Sequence, residues 1–201
     1  RWRQARRGRI TASTSAKTIW AGRETSWVKL AEKIKTELTP GWQWKELNMP
    51  ALEWGRDNEG RAIASLELDL GTDLIEPGLV FHPRYPFAAA TPDVLDNDVS
   101  IQIKCPFKSE LHLKTKLERV VPPQYVKQVQ WEIWVTGARR GLFVSFDPQQ
   151  PRATQLVLVE VKLDLAMHDR FESNLLRFKD FLETGQSATH IRGIARPIGV
   201  A

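Results

Sequence analysis

The sequence predicts an α/β domain, a mixed central sheet flanked by helices. Helix-like apolar spacing runs through the first third of the chain, and short runs rich in Val, Ile, Leu and Phe take over after Leu68. Pro, Gly, Asn and Asp mark the joints between them. A length of 201 residues, 42% hydrophobic and 26% charged, suits one domain over 1–201 with a full core.

Taken in order, residues 1–25 form a basic N-terminal segment. Within it Thr11-Ala-Ser13 reads as a helix start, because small hydroxyl residues cap free N–H groups. Helices are expected from about Ser26 to Leu38, where Pro40-Gly41 stops the chain, and from Met49 to Leu68. Leu74–His82, Phe87–Ala90 and Ser100–Lys104 read as short strands. Pro122-Pro123 introduces a helix over Gln124–Thr136, ended at Gly137. Gly141–Asp147 and Gln155–Leu163 are strands, and Asp164–Glu183 is a closing helix followed by a tail over 185–201.

Charge and cysteine usage narrow the classes. The net charge is +5, and RWRQARRGR at the start holds five arginines and no acid. Such an excess favours polyanions, since neutralising phosphates releases counterions. One cysteine, Cys105, excludes an internal disulfide framework and a four-cysteine zinc or iron–sulfur site, and suits the cytoplasm. No stretch approaches the ~18 consecutive apolar residues of a membrane span, so no membrane partner is expected. The eight tryptophans fall mostly in helical patterns and read as core.

The chemistry is concentrated in Thr91-Pro-Asp93 and Ser100-Ile-Gln-Ile-Lys104. Alternate side chains of a strand share a face, so Gln102 and Lys104 point one way and Ile101, Ile103 and Cys105 the other. Hairpin pairing would set Asp93 beside Gln102. A carboxylate, an amide and an ammonium then converge where a magnesium ion could hold water for attack on phosphorus, with Lys104 stabilising the transition state. Ser13 near a helix start and an arginine offer a second, anion-binding centre.

Further blocks accompany this pair: Arg6-Arg-Gly-Arg-Ile-Thr-Ala-Ser13, Leu52-Glu-Trp-Gly55 with Glu59, His82-Pro, Ile103-Lys-Cys-Pro-Phe107, and Gln128-Val-Gln130 with Trp134-Val-Thr136. In this order and spacing they resemble the lambda exonuclease / YqaJ viral recombinase family of PD-(D/E)XK nucleases, from about Arg6 to the strand at 155–161. The resemblance implies a restriction-endonuclease-like core and a Mg²⁺-dependent exonuclease, with Mn²⁺ as an alternative and two ions bound. The enzyme would digest one strand of linear duplex DNA from a 5′-phosphorylated end toward 3′. It implies metal roles for Asp93, position 102, the Ile103 carbonyl and Glu59, and a catalytic role for Lys104. Arg6, Ser13 and Thr91 would hold the 5′-terminal phosphate, with Gln128 near the active centre. A ring-shaped homotrimer and a single-strand annealing partner, in phage-type recombination inside a bacterial host, belong to the same implication.

Two positions depart from the family pattern. Gln102 stands where a metal-binding glutamate is expected, a near-isosteric exchange that removes one negative charge and should cost on the order of 10²–10⁴ in rate. Either the exchange was engineered to trap a DNA complex or the natural protein tolerates glutamine. The intact Asp93 and Lys104 favour deliberate inactivation over decay. Glu110 replaces a basic DNA contact, a role Lys108 could take over. The alternatives are a PD-(D/E)XK endonuclease and a catalytically silent DNA-end-binding module.

Overall fold

In the computed structural model the described residues are 2–13, 15–45 and 47–185, so the tail over 186–201 lies outside them. Seven helices and seven strands make up the described chain. A four-stranded sheet runs β4(Val94–Asp96)–β5(Val99–Lys104)–β6(Arg140–Phe146)–β7(Leu156–Lys162). Its β5–β6 pair is parallel and the other two pairs antiparallel, which makes the sheet mixed as expected. A smaller sheet orders β1(Ile10–Thr11), β3(Ala88–Ala90) and β2(Val80–Phe81), with β1 and β3 parallel. Thr91-Pro92-Asp93 joins the two sheets.

Each face of the larger sheet is covered chiefly by one long helix, with α5(Ser109–Glu118) also packed on β6 and β7. On one side lies α4(Pro50–Leu70), whose Ala62, Ile63 and Leu66 pack against Val94, Ile101, Ile103 and Val144. On the other lies α6(Pro123–Thr136), where Val129 and Ile133 meet Phe143, Val157 and Val159. The approach of α6 is close: a Cβ on Gly141 would stand 2.8 Å from Ile133 Cδ1. Pro at the first turn starts both helices, and glycines in the left-handed region, Gly71 and Gly137, end them.

A third cluster builds the N-terminal half. Trp27, Leu30, Ala31 and Ile34 give α3(Glu24–Leu38) an apolar face at helical spacing. It packs with Ile19 of α2(Ala16–Ala21) against Phe171, Leu175 and Phe178 of α7(Leu165–Thr184). Asp164 caps α7 by accepting the Met167 N–H at 2.9 Å. Each large side chain so buried contributes roughly 1.5–3 kcal/mol.

Three expectations need correcting. Thr11-Ala-Ser13 does not open a helix: Thr11 lies in β1, and α2 begins at Ala16 after Ser15. Leu74–His82 is not one strand, because Pro77-Gly78 interrupts it, with Gly78 at φ 70°, and only Val80–Phe81 pairs. Of the tryptophans, Trp27 and Trp131 are core, but Trp2 and Trp44 are exposed. The short α1(Trp2–Arg6), β4 and α5(Ser109–Glu118) carry no sequence pattern strong enough to foresee.

Candidate functional site

The hairpin of β4 and β5 positions the first half of the site. Its register pairs Val94 with Ile101, and one step further Asp93 comes opposite Gln102. Asp93 Oδ2 accepts the Ile103 N–H at 2.6 Å and also the Gln102 side-chain amide. The same amide nitrogen donates to the Ile103 carbonyl at 3.1 Å. Gln102 Nε2 therefore stands between two oxygens named as metal donors. Gln102 Oε1 accepts from Gln128 Nε2 of α6.

Gln128 continues the chain by donating to Glu132 Oε1, one turn along the helix, at 3.0 Å. Glu132 is 1% exposed, and its Oε2 has no hydrogen-bond partner among the described residues. Lys104 lies over the Tyr125 ring, with Nζ 5.5 Å from the centroid. Glu59 of α4 shares with Gly55, Arg56, Lys104, Tyr125 and Gln128 the lining of a cleft of about 470 Å³.

Burial shows in the protonation of these groups, with neighbouring carboxylates adding to it. Burial pushes Asp93 up to about 7; Lys104 and the Ile103 N–H oppose the shift, while Glu59 and Glu76 add to it. Burial pushes Glu132 up to about 8, with Asp93 adding and Lys104 and Gln128 opposing. Glu59 is also raised, by burial first, with Lys104 opposing and Glu76 adding a smaller push. These oxygens suit a hard divalent cation. Among the described residues no group of three His, Cys, Asp or Glu side chains stands close enough to hold one. A cation held here would need donors besides these side chains, and the Ile103 carbonyl is one within reach of Asp93's partners.

The second half of the site is an arginine pocket on the smaller sheet. Arg6 Nη2 donates to Ser13 Oγ at 2.9 Å and to Thr11 Oγ1 at 3.2 Å. Its guanidinium lies 5.0 Å from the Trp2 ring centroid, and the Trp2 indole N–H donates to Thr91 Oγ1 at 3.3 Å. Burial pulls the Arg6 guanidinium below its ordinary value, opposed by the Glu37 carboxylate. Arg6, Ser13 and, through Trp2, Thr91 thus share one small network. The helix start assigned to Ser13 is absent, so the pocket's positive charge is Arg6 rather than a helix dipole.

The structure also separates some candidates. Lys108 and Glu110 are exposed at the start of α5, and Lys108 makes no contact with the cleft. His82 is structural: its Nδ1 accepts the Arg84 and Tyr85 N–H groups, and its ring stacks 4.3 Å from Trp134. Sequence reasoning missed Tyr125, Glu132, Thr11 and Glu76. Two of these were accessible, since Tyr125 and Glu132 lie three and four residues from Gln128 on one helix face.

A carboxylate–amide–lysine cluster on a strand between two covering helices is the arrangement of a PD-(D/E)XK-type nuclease. The chain belongs to the YqaJ-like viral recombinase domain family, which matches residues 1–139. An alkaline exonuclease, LHK-Exo from Laribacter hongkongensis, is similar at TM-score 0.76 and 26% identity over 96% of both chains. LHK-Exo in complex with dAMP gives TM-score 0.76 and 28% identity over 92% of both chains. A phage-related exonuclease from Haemophilus somnus 129PT shares the fold, at TM-score 0.66 and 14% identity over 93% of this chain and 96% of its own. No curated protein matches the chain significantly in sequence. Family and fold together support a nuclease of phage-type recombination. Among the described residues, no helix is long and apolar enough to cross a membrane.

Proposed function

We propose that the chain is a Mg²⁺-dependent exonuclease that degrades one strand of linear double-stranded DNA from its 5′ end, leaving a 3′ single strand for annealing. The reading rests on the two-residue step from Thr91, tied to the arginine pocket through Trp2, to Asp93 in the acidic cleft. A 5′-terminal phosphate held by Arg6, Ser13 and Thr91 would leave the first phosphodiester beside Asp93 and Lys104. Polarity then follows from the spacing of the two centres. A bound Mg²⁺ or Mn²⁺, with two ions in the full reading, supplies Lewis acidity and a water of lowered pKa. Asp93, Glu59 and the Ile103 carbonyl would hold it, and Lys104 would stabilise the charge developing on phosphorus.

Gln102 lowers the charge of this centre, so the chain should cut slowly compared with a Gln102→Glu variant. A ring-shaped homotrimer and a single-strand annealing partner, acting in the cytoplasm of a bacterial host, complete the proposal. Light scattering tests the first by seeking a mass three times the 23.0 kDa of one chain.

The decisive assay presents the Gln102→Glu variant with linear duplexes bearing a 5′-phosphate or a 5′-hydroxyl, and with a closed circle. Preference for the phosphorylated end and an intact circle support the exonuclease. Cutting of the circle would make it an endonuclease. Tight binding to ends without cleavage in either form would make it a silent end-binding module.

A further inference from the structure

Glu132 has no role in the proposal above, yet its surroundings are unusual for a packing residue. Its neighbours Trp131, Ile133 and Val135 are fully buried and apolar. A carboxylate among them costs free energy unless its oxygens are satisfied. One oxygen takes the Gln128 amide; Oε2 has no partner among the described residues. Holding Gln128 needs only one acceptor, which a glutamine would provide without a buried acid. The amide chain Glu132–Gln128–Gln102 runs from α6 to β5 and ends on Asp93. It thus joins the extra carboxylate to the position that lacks one.

We infer that Glu132 supplies from helix α6 the carboxylate missing at Gln102 on strand β5, and that its free oxygen serves, with Asp93, a divalent cation in the cleft. The inference rests on the metal-dependent reading of that cleft. Moving the acid from strand to helix keeps two carboxylates in the centre while a neutral amide bridges Asp93 and Ile103 in the metal-free chain. Gln102 is then one half of a relocated pair: the cation keeps a second carboxylate, while the attacking water still lacks the basic neighbour that a glutamate at 102 would give it.

Mn²⁺ binding to the whole chain, followed by loss of the free-ion paramagnetic resonance signal, tests this without DNA or turnover. Glu132→Gln keeps the acceptor for Gln128 and should weaken Mn²⁺ binding roughly 10–100-fold. The exchange Gln102→Glu with Glu132→Gln should restore it, and Asp93→Asn should abolish it. Unchanged binding in Glu132→Gln, with loss in Asp93→Asn, overturns the inference and leaves the nuclease reading standing. A loss that the exchange does not restore marks structural damage and also overturns it. Equal, negligible binding by the unaltered chain and Asp93→Asn overturns the inference and the metal-dependent reading together.

Discussion

The arginine pocket and the acidic cleft lie on either side of Thr91-Pro92-Asp93, and they are built on opposite principles. The pocket holds a permanent cation among neutral hydroxyls, Ser13, Thr11 and, through Trp2, Thr91. Nothing in it must change protonation to receive an anion. Around the cleft Asp93, Glu59 and Glu132 are each pushed toward the protonated form, by burial first, with a neighbouring carboxylate adding to each. Within the chain Lys104, the Ile103 N–H and the Gln102 amide offset part of this cost at Asp93. One half carries its charge in advance; the other holds its acids near neutrality mainly through burial.

The contrast sharpens most under substitution of the lysine. In the Gln102→Glu background, Lys104→Ala should lower cleavage about 10²–10⁴-fold on phosphorylated and unphosphorylated ends alike. Arg6→Ala should cost less, roughly 10–100-fold, and only on 5′-phosphorylated ends, as the loss of a charged hydrogen bond implies. End-labelled duplexes compared side by side check both. If Arg6→Ala slows both kinds of end equally, the pocket is not a phosphate site.

Stability without metal probes the cleft alone. Glutamate at 102 would turn its contacts with Asp93 Oδ2 and the Ile103 carbonyl into facing acceptors. Gln102→Glu should therefore destabilise the metal-free chain by roughly 1–3 kcal/mol, and Mg²⁺ should recover the loss. Thermal melts in chelator and in Mg²⁺ measure this, and an unchanged melting temperature in chelator would contradict the bridging role.

The smallest effect is the pH dependence. Folded Asp93 and Glu132 keep protons up to about 7 and 8, whereas the unfolded chain releases them near 3.8 and 4.5. Between those limits the unfolded state binds fewer protons, so metal-free stability falls as pH rises. Glu132→Gln should flatten this slope. At pH 8.5 it should raise the melting temperature by about 2–4 °C for each kcal/mol relieved. A slope identical to that of the unaltered chain would mean that Glu132 does not carry the strain.

How far these two regions could be read in advance differs for a physical reason. The placing of Asp93 beside Gln102 was legible because strand alternation fixes faces and a hairpin returns the chain, although β4 itself was not foreseen. The pocket was legible only as a set of residues. Its helix start failed because Thr11 pairs with Ala89 in a two-residue parallel strand, a partner 78 positions away that no local pattern announces. Glu132 lies at helical spacing from Gln128, but its burial was hidden, since an acid inside Trp-Glu-Ile-Trp reads as an exposed interruption of an apolar run until the fold buries it. The short α5 escaped notice because its buried positions are His112 and Thr115, with His112 bridging Ser145 and Thr154.

The most direct test of the central claim is nucleotide release from 5′-phosphorylated linear duplex DNA in Mg²⁺ by the unaltered chain and by Gln102→Glu. The account predicts slow release by the first and a rate about 10²–10⁴-fold higher for the second, with both abolished by chelator. Failure of both proteins to release nucleotides would contradict the assignment of Asp93, Gln102 and Lys104 to a working nuclease centre.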